Sequence, residues 1–143
     1  MITNKNINDN EIKYLNLLLS NFADYAEEIA RQISAAKIER EEYSDHLFIY
    51  FSYENNFESK YELPFLLTLG IECTDKNNVD IILCNDNGLS SELEVFSNLF
   101  AEISCESICN GSVYWKSIYN ADGSKTVWTL NKKTQKLELN DEI

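Results

Sequence analysis

From Glu11 to Lys37 the chain sets apolar residues at Ile12, Leu15, Leu19, Phe22, Ala26, Ile29, Ile33 and Ala36, in steps that alternate between three and four. That spacing keeps all of them on one face of an α-helix. Lys13, Asn16, Asp24, Glu27, Glu28, Arg31, Gln32 and Lys37 fall between them and define a solvated face. Asn8 or Asp9 stands just ahead, where a side-chain oxygen can accept from a free N–H of the first turn. The periodicity therefore predicts one long amphipathic helix over this whole stretch. Each large side chain that such a stripe removes from water contributes about 1.5 to 3 kcal/mol before ordering entropy is set against it. The stripe must lie on something, and the rest of the sequence supplies a sheet.

After a charged connector at Glu39 to Asp45 the period drops to two. Leu47, Ile49, Phe51 and Tyr53 alternate with Phe48, Tyr50 and Ser52, which reads as a strand covered on both faces. Asn55-Asn56 is a turn, and Phe57 to Leu63 alternates again with Glu58, Lys60 and Glu62 outward, predicting a hairpin. Pro64 marks a strand end or bulge. Phe65 to Thr74 is the next strand, with Phe65, Leu67, Leu69, Ile71 and Cys73 toward the core. Asp75 to Asn78 turns the chain into a strand at Val79 to Cys84, and Asn85-Asp86-Asn87-Gly88 is the strongest turn signal present.

The stretch from Leu89 to Ser104 supports two readings. Ser91 and Glu94 form a capping-box pattern with Leu93, Phe96, Phe100 and Ile103 at helical steps, whereas Glu92-Leu93-Glu94-Val95 alternates like the return arm of a hairpin. The tail is a three-stranded meander at Ser112 to Tyr119, Lys125 to Asn131 and Lys136 to Leu139, in which Trp115 and Trp128 lie on facing arms near Tyr114 and Tyr119. Such a pair is either a cross-strand aromatic cluster or an interface anchor. The fold class is α+β: a long N-terminal helix on a mainly antiparallel sheet, ending in a β-meander. The length of 143 residues suits a single domain, 1–143, with 1–9 and 140–143 expected to fray.

The formal charge of −12 is unevenly spread. Residues 1–44 carry −3, residues 45–110 carry −10 with twelve acids against two bases, and residues 111–143 carry +1. Phosphate backbones and anionic membranes repel such a chain, so neither nucleic acid nor membrane is an expected partner, while a basic protein is attracted. Met1 to Asn10 is polar and no apolar run approaches the ~20 residues of a membrane span, so the chain reads as cytoplasmic. Cys73, Cys84, Cys105 and Cys109 show no CxxC, and His46 is the one histidine, so the cysteines read as reduced thiols and neither a metal nor a cofactor is expected. Phosphate-binding loops, a nucleophile elbow and zinc-protease motifs are all missing. Carboxylate pairs such as Glu92 with Glu94 or Glu58 with Glu62 are too numerous to single out an acid–base site. The expectation is a protein without catalytic residues.

Val79-Asp-Ile-Ile-Leu-Cys-Asn-Asp-Asn-Gly-Leu-Ser-Ser-Glu-Leu-Glu-Val-Phe96 resembles the hairpin of several small immunity-protein families of bacterial polymorphic toxin and contact-dependent inhibition systems, and the likeness extends loosely over residues 10 to 98. The resemblance implies that Leu89 to Phe96 is strand, and that the protein neutralises a cognate toxin C-terminal domain as a one-to-one complex of monomers. Many such toxins are basic nucleases. Asp80, Asp86, Glu92, Glu94, Glu102 and Glu106 are the residues expected to form the partner-binding face. Two other classes share the acidity. Type III secretion chaperones are dimeric and end in an amphipathic helix, and DNA-mimicking inhibitors spread carboxylates along the molecule, whereas this tail is a near-neutral meander.

Overall fold

The computed structural model describes residues 1–140. Two helices, α1 (Asp9–Ser20) and α2 (Ala23–Ala35), cover one face of an eight-stranded sheet. The strands are β1 (Lys37–Glu42), β2 (His46–Ser52), β3 (Leu66–Glu72), β4 (Asn78–Asp86), β5 (Leu89–Ser97), β6 (Ser112–Tyr119), β7 (Lys125–Asn131) and β8 (Lys136–Leu139), and a five-residue helix, α3 (Cys105–Cys109), precedes β6. The spatial order is β1-β2-β5-β4-β3-β6-β7-β8, and every neighbouring pair is antiparallel. The α+β class and the C-terminal meander are as expected.

The long helix is two helices. Asn21 ends α1, its backbone N–H donating to the Leu18 carbonyl and the Phe22 N–H to that of Leu19, and Phe22 stands at φ −135° before α2 begins. No glycine or proline marks the break. Lys116, far along the chain on β6, donates its Nζ to the Asn21 carbonyl at 2.9 Å and lies over the Phe22 ring, so a tertiary contact satisfies the group that the break frees. Leu15, Leu19, Phe22, Ile29, Ile33 and Ala36 are buried as the stripe requires, together with Tyr14 and Leu18, which the stripe did not include. Asn8 is the N-cap, closing a capping box with Glu11.

Two outward assignments are reversed. Glu28 and Gln32 are buried, and so is Glu11. Glu28 accepts from Arg31 (Nε, 2.6 Å), the Lys60 backbone N–H (2.6 Å), Gln32 (3.1 Å) and Ser59 (3.2 Å). Gln32 in turn spans the turn after β4, donating to the Gly88 carbonyl and accepting from the Ser90 N–H. Glu11 takes a two-pronged pair from Arg40, at 2.8 Å on each oxygen. The charged connector is therefore edge strand β1, and Arg40 of that strand is what keeps Glu11 inside.

Phe57 to Leu63 forms no strand. A turn does follow Glu54, whose carbonyl accepts from the Phe57 N–H, but the segment then docks on α2 through Glu28 instead of pairing with a neighbour. Phe65, expected in the core, is exposed just ahead of β3, whereas Leu67, Leu69, Ile71 and Cys73 are buried. The first nine residues do not fray: Ile2 and Ile7 are in the core, and Asn4 donates to the carbonyls of Ile33 and Ala36. At the other end Asn140 N–H donates to the Val127 carbonyl, and 141–143, expected to fray, lie outside the described residues. Among the described residues no helix is long and apolar enough to cross a membrane.

Candidate interaction face

Residues 89–97 are strand, closed on β4 through Asn87 and Gly88, both at positive φ as a two-residue hairpin turn demands. The hairpin places Val79, Ile81, Leu83, Leu93 and Val95 under the helices. By the strict alternation of strands, Asp80, Ile82, Cys84, Glu92, Glu94 and Phe96 then point to the opposite side, which no helix covers.

Register builds that open face row by row. Glu41, Phe48, Glu94, Ile82 and Thr68 are direct cross-strand neighbours from β1 to β3. Glu39, Tyr50, Glu92, Cys84 and Leu66 form the next row, and His46, Phe96, Asp80, Gly70 and Trp115 the row on the other side. Neighbours in a row have Cβ atoms about 4.5 to 5.5 Å apart. Along β2 the aromatic rings run continuously: Tyr43 stacks on His46 (4.5 Å between centroids), His46 meets Phe48 edge-on (5.0 Å), and Phe48 stacks on Tyr50 (6.3 Å). An aromatic ridge thus stands between two pairs of carboxylates, Glu39 and Glu41 on one flank and Glu92 and Glu94 on the other.

Two of the carboxylates, Glu94 and Asp80, are held under tension. Burial, then the neighbouring Glu92, with Asp80 adding to them and His46 opposing, pushes the Glu94 carboxyl above its ordinary value. Burial likewise raises Asp80, against one hydrogen bond from Asn98 at 3.2 Å. Among the described residues none of Glu39, Glu41, Asp80, Glu92 and Glu94 forms an ion pair within the chain. Such a face lowers its own free energy when a cation arrives, since the carboxylates gain a partner and the rings offer their electron-rich faces.

Of the six residues expected on the binding face, Asp80, Glu92 and Glu94 come together here. Asp86 ends β4 on the same side, exposed beside the turn. Glu102 and Glu106 do not join them. Glu102 lies in the loop after β5 and lines a small cavity of about 170 Å³ with Tyr14 and Tyr43, and Glu106 is on α3, which packs against α1 on the helix side. Glu39 and Glu41 were missed because a strand of alternating charge carries no apolar signal. Phe48 and Tyr50 were visible as one face of an alternating strand, though not as the uncovered one.

The two tryptophans part company. Trp115 is opposite Thr129 and Trp128 opposite Lys116, so the rings point to opposite sides of the sheet. Trp115 lies across Gly70 on the open face, where a Cβ would collide with its indole nitrogen, and Trp128 takes Lys116 Nζ over its ring on the helix side. His46 opens β2 with Nδ1 at 2.7 Å from Asp45. All four cysteines are free, with Cys105 and Cys109 Sγ 3.9 Å apart on α3. Among the described residues no group of three or more His, Cys, Asp or Glu is placed to hold a metal ion. No family model, curated protein or solved structure matches the chain.

Proposed function

We propose that the protein is a non-catalytic inhibitor of the immunity type, which binds a cognate toxin domain, a basic nuclease, one to one in the cytoplasm through the open face of β1, β2, β5 and β4. The observation that carries this reading is the aromatic ridge of His46, Phe48 and Tyr50 between unpaired carboxylates on both flanks. Arginine is the side chain such a surface accommodates best, because its planar guanidinium pairs with carboxylates at its edge and stacks on rings through its face. Nucleases present arginine and lysine where phosphates bind, so the same face occupies the surface that the nucleic acid needs. The near-neutral β6–β8 meander does not fit an extended mimic of DNA, which spreads carboxylates along the molecule.

The test is to express the C-terminal domain encoded by the reading frame immediately upstream, with and without this protein. Growth rescue and a stable one-to-one complex are expected. The double reversal Glu92→Lys with Glu94→Lys should abolish rescue, lower the affinity and weaken its dependence on salt. Affinity and salt dependence unaltered by that reversal would refute the face, and a constitutive dimer bound to a non-toxic secreted protein would refute the function.

A further inference from the structure

Phe100 is 86% exposed and Leu99 60%, side by side in the loop that follows β5. An aromatic side chain gains by folding back onto the protein surface, and this one does not. Phe100 holds φ at +56°, a conformation that costs an L-residue with a bulky side chain. The surroundings enforce it. Ser97 Oγ, buried, accepts from the N–H groups of both Leu99 and Ala101 at 3.1 Å and donates to Asn77 Oδ1 at 2.6 Å. Asn77, also buried, donates to the Glu102 carbonyl, and Ile103 N–H then ties the chain to Ser44. At the other end Asn98 N–H donates to the Asn78 carbonyl. Two buried polar side chains and a clamp at each end thus spend their hydrogen bonds on presenting two apolar side chains to water.

The loop also has a definite place relative to the acidic face. It continues directly from Phe96, and the Asn98 amide bonds Asp80, a carboxylate of that face. Glu102 follows within the loop, and Ser97 N–H donates to the Asp45 carbonyl at the start of β2. The loop is thereby tied to the edge of the acidic face at Asn98, two residues before Phe100.

We propose that the loop at 97–102 is a preorganised apolar anchor, which seats Phe100 with Leu99 in an apolar recess bordered by the basic surface of the protein partner. The inference rests on the inhibitor reading and divides the labour within it: the carboxylates steer and select, and the anchor holds. Because the backbone is already fixed, docking it loses little conformational freedom, and the effect of the side chain falls on dissociation.

The experiment measures association and dissociation rates of the full-length chain on the upstream-encoded toxin domain across a range of salt, for the wild type, Phe100→Ala, Phe100→Gly and Leu99→Ala. Phe100→Ala and Phe100→Gly should each weaken binding about thirty-fold or more, the loss expected of a hot-spot aromatic, almost wholly through faster dissociation and with the salt slope unaltered. Phe100→Gly should at the same time melt at a higher temperature than the wild type, because glycine takes a positive φ without strain, so unfolding cannot account for its loss of affinity. Affinities of both Phe100 variants within about twofold of wild type, on a domain that the wild type binds, would overturn the anchor and leave the inhibitor reading standing. A wild type that does not bind the domain overturns both.

Discussion

Glu28 is the residue whose replacement says most about how the open face is held in place. Its carboxylate is 3% exposed on α2 and receives donors from four directions. Hydrogen bonding from Arg31, above all, with the Lys60 N–H and Gln32 adding to it against the opposing effect of burial, pulls the carboxyl from an ordinary 4.5 to about 2. A tenfold change in proton affinity is worth about 1.4 kcal/mol, so the ionised group contributes on the order of 3 kcal/mol to folding at neutral pH. Because the folded value is depressed, that contribution is complete above about pH 4.5 and is lost as pH falls toward 2. In Glu28→Gln the amide can place its oxygen only where Oε2 was, which turns its NH₂ toward the Arg31 Nε–H, donor against donor. Urea denaturation followed by circular dichroism should show the variant about 3 kcal/mol less stable at pH 7, with the gap closing as both proteins approach pH 2. The same variant should leave the 57–63 segment more open to proteolysis, since the Lys60 N–H then donates to a neutral amide oxygen in place of an ionised carboxylate. A difference under about 1 kcal/mol at pH 7, or one that stays constant on acidification, would refute the assignment of this network as a charged tie between α2 and the turn beneath it.

Two further outcomes concern the open face. Glu94 has its carboxyl raised by burial and by the charges beside it, so ionisation destabilises the folded state, an effect absent below the unfolded value and complete once pH exceeds the folded one. Glu94→Gln should therefore raise the melting temperature at pH 7, with the gain disappearing in acid, and a melting temperature lowered at pH 7 would show the carboxylate to be structural. Gly70→Ala should displace the Trp115 indole and cost about 1 to 3 kcal/mol, as overpacking does, with a change in tryptophan emission that the Trp128→Phe background retains. Unchanged emission and stability would mean that the ring does not rest there.

What the chain reveals on inspection follows from where the decisive contacts lie. The β6–β8 meander is legible because its turns are local, whereas periodicity leaves the arm after Gly88 open between helix and strand even though Asn87-Gly88 suits a hairpin by its own backbone preferences. The break at Asn21 is not legible, because the group that stabilises it, Lys116, is supplied from a distant strand while the apolar spacing runs on unbroken. Strand β1 is equally hidden: Lys37-Ile38-Glu39-Arg40-Glu41-Glu42 has strand geometry only because β2 pairs with it. The 57–63 alternation misleads in the opposite sense, since its polar residues are outward in a strand and equally so in a loop clamped by Glu28. The candidate face inherits these limits. Asp80, Glu92 and Glu94 were found together because the resemblance reads 89–96 as strand, Glu39 and Glu41 were lost with β1, and Glu102 and Glu106 were included because the end of β5 at Ser97 has no turn signal of its own. Phe100 fitted the apolar face of a helix that does not form.

The order of strands has one more effect, on how this molecule travels. At about 4.8 Å per strand the sheet is about 34 Å from edge to edge. Glu39, Glu41 and Glu42 lie on β1, Glu92 and Glu94 on β5, and Asp80 and Asp86 on β4, while Lys116, Lys125, Lys132, Lys133 and Lys136 occupy β6, β7, β8 and their turns. The molecule therefore carries an electric dipole within the plane of the sheet, and in the field of a cationic body it experiences a torque before it makes any contact. Collisions cease to be random in orientation: the protein tumbles less and arrives with its carboxylate end leading. The β7–β8 turn at 132–135 then trails, which makes it the place to attach a fluorophore or surface tether without obstructing the encounter.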